Sequence, residues 1–89
     1  MTVRTLSKTT LVYEQGVFLA LLKELRHEAG LRQRDLAERI GEPQSFVSKY
    51  ESGERRLDVV ELRYICLALG ISLPDVIDRF EKKLTGGGE

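Results

Sequence analysis

Residues 31–53 read LRQRDLAERIGEPQSFVSKYESG, and this stretch decides the fold. Leu36, Ala37 and Ile40 share one side of a short helix, and Gly41 closes it. Pro43 suits the first turn of a second short helix, where its missing N–H leaves no hydrogen bond unmade. Val47 and Tyr50 give that second helix a narrow apolar edge, and Gly53 ends it. A connection as tight as Gly41-Glu42-Pro43 sets two helices at a steep angle. Gln44, Ser45, Ser48, Lys49 and Ser52 are left for the outside of the second helix. The major groove of DNA is about 12 Å wide and accepts one α-helix. A helix that is polar outside and apolar only where it docks suits that groove, while the helix before it braces across the backbone.

The flanks supply three more helices. Helical periodicity starts near Glu14, with Phe18, Leu21, Leu22, Leu25 and Ala29 on one stripe and Gly30 as the stop. On the other side, Asp58 is a good N-cap for a helix whose inner face is Val59, Leu62, Ile65, Cys66 and Leu69, ending at Gly70. Ser72 with Asp75 three residues on resembles a capping box for a last helix bearing Val76, Ile77, Phe80 and Leu84. The opening stretch, MTVRTLSKTTLVY, is rich in Thr and Val with rough alternation, which predicts an arm or strand. The expectation is an all-α domain of five helices over residues 14–84, with a short N-terminal arm or strand at 1–13 and a disordered tail at 85–89.

Composition narrows the function by exclusion. At 89 residues, 42% hydrophobic and 31% charged, the chain is one globular domain. No apolar run is long enough to cross a bilayer, and the N-terminus lacks the apolar core of a secretory signal. Cys66 stands alone and His27 is the only histidine, so neither an internal disulfide nor a metal site is expected. Both facts suit a reducing cytoplasm. Cys66 reads as a small core residue, and His27 as a solvated one. No nucleophile–base pair or phosphate loop is present, so neither an enzyme nor a cofactor or small-molecule ligand is expected. The net charge is zero, but residues 1–56 carry ten basic and eight acidic side chains, and the remainder four and six. The positive half is the half that holds the two short helices, and binding depends on where charges sit.

The stretch resembles the Cro and lambda-repressor family of helix-turn-helix proteins, the XRE family. The matching residues are Leu31, Gln33, Leu36, Ala37, Ile40, Gly41, Gln44, Ser45, Val47, Ser48, Glu51 and Gly53. The resemblance runs on through Arg55-Arg56, Val59-Val60-Glu61-Leu62 and Ala68-Leu69-Gly70-Ile71-Ser72, and covers roughly residues 17–80. It implies a lambda-repressor-like DNA-binding domain. Gln44, Ser45, Phe46, Ser48 and Lys49 would meet base edges, with Gln44 suited to a bidentate pair on adenine and Lys49 to guanine. Gln33, Arg32, Arg34, Ser52, Arg55 and Arg56 would hold phosphates, which sets register without reading sequence. Gln33 would also support Gln44, and Arg26 would form a structural ion pair with Glu51.

Three residues depart from the family pattern. Arg32 stands where Ser or Thr is usual as the N-cap, a loss of about 1 kcal/mol that a phosphate contact would offset. Pro43 replaces another usual cap. Phe46 occupies a position where small polar residues are common; it packs either on a thymine methyl or back against the core.

The expected function is a transcription regulator, chiefly a repressor, that binds an inverted-repeat operator in double-stranded DNA as a homodimer. The surplus apolar face of the last helix, Val76, Ile77, Phe80 and Leu84, is the expected dimer contact. A second class is an antitoxin or other module that binds a protein partner through its terminal segments, for which only residues 1–13 would serve.

Overall fold

Ser7 starts the first helix, its hydroxyl accepting a hydrogen bond from the Thr10 backbone N–H at 3.1 Å. The computed structural model describes residues 5–86. The helices are α1 (Lys8–Glu28), α2 (Gln33–Ile40), α3 (Gln44–Glu51), α4 (Val59–Leu69) and α5 (Leu73–Leu84), with no strand among the described residues. The expected arm is therefore corrected over 8–13, which is the first part of α1. Thr9, Thr10 and Val12 are weak helix formers, but extending an existing helix needs no new nucleus, so a capped start carries them. Residues 1–4, including Arg4, and residues 87–89 of the expected tail lie outside the described structure.

Gly41 sits at φ 72°, a left-handed conformation that turns the chain sharply between α2 and α3. The core is Leu21, Leu22 and Leu25 of α1, Leu36 and Ala37 of α2, Val47 and Tyr50 of α3, Leu62, Ile65 and Cys66 of α4, and Val76 of α5. Every helix thus contributes to one cluster, and α3 is held by two wholly buried side chains. Burial raises the pKa of the Cys66 thiol, which suits a packing role. Arg39 of α2 donates to the Ala68 carbonyl at 2.9 Å, satisfying an acceptor in the last turn of α4.

Two expectations about apolar faces change. Val76 is fully buried in its own chain, and Phe80 meets Phe18 of α1 edge to face at 5.3 Å. Leu84 is half-buried, so α5 spends most of its apolar face on its own domain and only Ile77 is exposed. On α4, Val59 does not face inward but is 65% exposed, and Val60, Tyr64 and Leu67 are exposed with it. Four apolar side chains thus lie outside on the helix that also supplies Leu62, Ile65 and Cys66 to the core.

The Tyr50 hydroxyl is buried and has no hydrogen-bond partner among the described residues. Burial raises its pKa, so it stays protonated. An unpaired buried hydroxyl costs about 1–3 kcal/mol. Tyr50→Phe is therefore expected to leave stability unchanged or raise it by about 1 kcal/mol in urea denaturation. A loss of more than about 1 kcal/mol would show that the hydroxyl has a partner in solution.

Candidate nucleic-acid interface

A buried ion pair anchors the end of α3. Arg26 Nε donates to Glu51 Oε2 at 2.7 Å and Nη2 to Oε1 at 2.9 Å, with both side chains about 5% exposed or less. Nη1 donates to the Leu31 carbonyl at 2.8 Å, so the guanidinium also fastens the loop before α2. Burial alone would push the Glu51 carboxyl up, but the Arg26 guanidinium and the Gln33 amide outweigh it and hold it below the ordinary 4.5. The same bond raises Arg26.

From that pair a chain of hydrogen bonds runs to the surface. Gln33 Nε2 donates to Glu51 Oε1 at 3.0 Å, and Gln44 Nε2 reaches Gln33 Oε1 at 3.4 Å, a long contact. Gln33 is half-buried and has both ends of its amide engaged, so it is placed to orient Gln44. Gln44 stands exposed at the first turn of α3.

The rest of the α3 surface sorts by burial. Ser45 and Lys49 are exposed and Ser48 is half-exposed, and none of the three side chains has a partner among the described residues. Ser52 is committed locally: its hydroxyl donates to the Lys49 carbonyl at 3.0 Å and accepts from the Glu54 N–H at 3.4 Å. Phe46 folds back, half-buried, with its ring 5.9 Å from Tyr50 in an edge contact. Of the two dispositions open to it, the structure adopts the peripheral-core one, with the Arg55 guanidinium over its ring at 4.5 Å from the centroid.

The basic residues divide in the same way. Arg55 is half-buried and engaged with Glu61, Nη2 to Oε2 at 2.6 Å and Nη1 to Oε1 at 3.1 Å. That bond raises Arg55 and lowers Glu61. Glu61 also accepts from the Asp58 N–H at 3.0 Å while Asp58 accepts from the Glu61 N–H at 2.8 Å, a reciprocal cap that fixes the start of α4. Arg55 therefore ties the loop after α3 to α4. Arg32 is exposed, but its guanidinium meets Asp35 at 2.9 and 3.1 Å. Asp35 also accepts from the Arg32 backbone N–H at 2.8 Å, so the missing Ser or Thr cap is offset from inside the helix. These bonds to Arg32 hold Asp35 down to about 2. Arg34 and Arg56 are exposed, with no side-chain hydrogen bond or ion pair among the described residues. Sequence reasoning missed Asp35 and Glu61. The three-residue spacings Arg32-x-x-Asp35 and Asp58-x-x-Glu61 were the available signal.

The buried pair gives acid sensitivity a definite sign. Because Glu51 titrates lower in the folded chain than unfolded, its contribution is complete above about pH 4.5 and is lost as the pH falls through its lowered value. Stability is expected to hold from neutral pH down to about 5 and fall below, with Glu51→Gln showing a shallower acid slope. Equal acid slopes for the two proteins would show that Glu51 is not depressed.

Among the described residues no cluster of His, Cys, Asp or Glu is placed to hold a metal ion, and no helix is long and apolar enough to cross a membrane. A family model described as helix-turn-helix matches residues 22–76, well over half the chain. An XRE-family like protein from Pseudomonas syringae pv. tomato superposes with a TM-score of 0.80 at 42% identity, over 85% of this chain and 93% of that one. The clp gene regulator ClgR of Corynebacterium glutamicum gives 0.69 at 28% identity, over 76% and 87%. The restriction-modification controller protein C.Esp1396I gives 0.76 at 23% identity, over 82% and 96%, a likeness of fold. No curated protein matches the chain. The matched segment runs from the core of α1 through both helices of the motif to the buried Val76, and with it the chain belongs to the XRE-type helix-turn-helix family as a DNA-binding transcription regulator, not an enzyme.

Proposed function

We propose that this regulator is a cytoplasmic repressor that binds an inverted-repeat operator as a homodimer, with α3 in the major groove. The observation that carries the reading is the division of α3. Val47 and Tyr50 are wholly buried, whereas Gln44, Ser45 and Lys49 stand free on the outer side, with Gln44 steadied by Gln33. Gln44 pairs with adenine, Lys49 with guanine, and Ser45 and Ser48 with neighbouring base edges. Arg34 and Arg56 neutralise phosphates on either side, and Gln33 and Arg32 add contacts at the start of α2. Arg55 and Ser52 set the shape of the loop, with any phosphate contact secondary to that. One such motif reads only a few base pairs, so a useful site needs two, related by a two-fold axis and about 34 Å apart. A dimer seated there occludes the DNA that transcription must open. The resemblance to a chain named as a gene regulator supports this direction.

The test is a fluorescence titration on operator and random duplexes across a salt range. Arg34→Ala and Arg56→Ala are each expected to weaken both duplexes alike and to reduce the salt slope by about 1. Arg55→Ala is expected to weaken binding mainly through loop order, and Glu61→Ala to do the same despite removing a negative charge. Tighter DNA binding by Glu61→Ala would mean that Arg55 is a phosphate ligand held back by Glu61.

A further inference from the structure

We infer that Arg55 is a positioning residue for sequence reading, one that locks the end of α3 to the loop bearing Arg56, so that a phosphate held by Arg56 places Lys49 on its base. This assignment rests on the reading of DNA by α3 proposed above and names the residue that sets its register. The Arg55 guanidinium meets three parts of the chain at once. Its central carbon lies 4.5 Å from the centroid of the Phe46 ring on α3. On α4, Glu61 accepts from Nη2 at 2.6 Å and from Nη1 at 3.1 Å. In the loop itself, Nη1 donates to the Arg56 carbonyl at 3.0 Å.

The backbone completes the link. The Lys49 carbonyl lies in the last turn of α3, where a helix leaves its acceptors without helical partners. It accepts from the Glu54 N–H at 2.9 Å, the Arg55 N–H at 3.1 Å and the Ser52 hydroxyl at 3.0 Å. Gly53, at φ 86°, turns the chain so that these donors reach back. The main chain of Lys49 is thus bonded to Arg55, and the side chain of Arg55 to the main chain of Arg56. The side chains of Lys49 and Arg56 are exposed, with no hydrogen bond or ion pair among the described residues. Phosphate contacts set register and base contacts read sequence; Arg55 fixes the one relative to the other. A guanidinium suits the task, because its rigid fork of donors meets a carboxylate and a carbonyl while its flat face lies on a ring. Lysine carries the same charge on one ammonium and cannot hold all three partners together. Glu61 also offsets the charge of Arg55, which leaves the phosphate to Arg56.

Titration of operator and random duplexes with the full chain across a salt range tests this, well below the melting temperature of each variant. The operator is the duplex that the unaltered chain selects from a random pool. Arg55→Lys keeps the charge and loses the fork. It is expected to lower the preference for operator over random DNA ~10-fold, the size of one good base contact, with the salt slope unchanged. On a Lys49→Ala background the same substitution is expected to cost ~2-fold or less, since Arg55 acts on base reading through Lys49. Phe46→Leu keeps an apolar filler but removes the ring face, and is expected to lower the preference in the same direction, whereas Phe46→Tyr retains it. Full preference in Arg55→Lys, equal losses on both duplexes, or the same loss with and without Lys49 would overturn the assignment. So would a fall in melting temperature with the preference intact, which would make Arg55 a brace of the loop and nothing more. An unaltered chain that selects no duplex from the pool overturns the reading of sequence by α3 instead.

Discussion

Arg26→Ala is expected to lower stability by about 3–5 kcal/mol while leaving the preferred DNA sequence unchanged. The size follows from burial. The substitution leaves Glu51 charged and almost wholly out of water, with only the Gln33 amide for company. It also strips the Leu31 carbonyl of its donor. A surface pair would be worth about 1 kcal/mol or less, so the magnitude separates the two cases. A domain of this size has only about 5–15 kcal/mol in total, so the melting temperature falls by some tens of degrees. Replacing both partners, as in Arg26→Met with Glu51→Leu, is expected to recover much of the loss, since no charge is then stranded. Urea unfolding measures all three. A loss below about 1 kcal/mol for Arg26→Ala would place the pair in solvent.

The second large effect is on recognition. Lys49→Ala is expected to weaken operator binding by about 1–3 kcal/mol and to relax one base position in each half-site, with stability unchanged. Lys49 is exposed on α3, its ammonium without a partner among the described residues, so its whole reach is available to a base. Binding to random duplex should fall much less. That asymmetry distinguishes Lys49 from Arg34 and Arg56, whose removal weakens every sequence together. Equal losses on operator and random DNA would make Lys49 another phosphate contact.

How much was legible depended on whether a residue answers to local or to tertiary rules. The positions of α2 and α3 could be read because Gly41, Pro43 and Gly53 act locally and the apolar spacing is short-range. The start of α1 was misplaced because the Thr- and Val-rich opening reads as extended by propensity, while the chain obeys the Ser7 cap. On α4, Leu62, Ile65 and Cys66 were correctly read as inward and Val59 was not, since the helix is apolar on most sides and periodicity there has little contrast to measure. That ambiguity sent the surplus apolar surface to α5, whose Phe80 belongs with Phe18.

At the site, Gln44 and Lys49 fall on the outer side of α3 because two buried residues fix that helix's rotation. The partners of the arginines were not legible. Arg55 is drawn to Glu61 and Phe46 by the path of the loop, and a list of basic residues holds no information about that path. Phe46 lies with Arg55 for the same reason, half-buried beside the exposed side of α3.

The central claim is that the outer side of α3 reads DNA sequence twice over. Selection of bound duplexes from a random pool, carried out in parallel with the unaltered chain and Lys49→Ala, tests it most directly. The account predicts enrichment of two inverted half-sites about one helical turn apart, and loss of preference at one base in each half-site for the variant. Enrichment of no motif, or the same motif with the same affinity for both proteins, would contradict it.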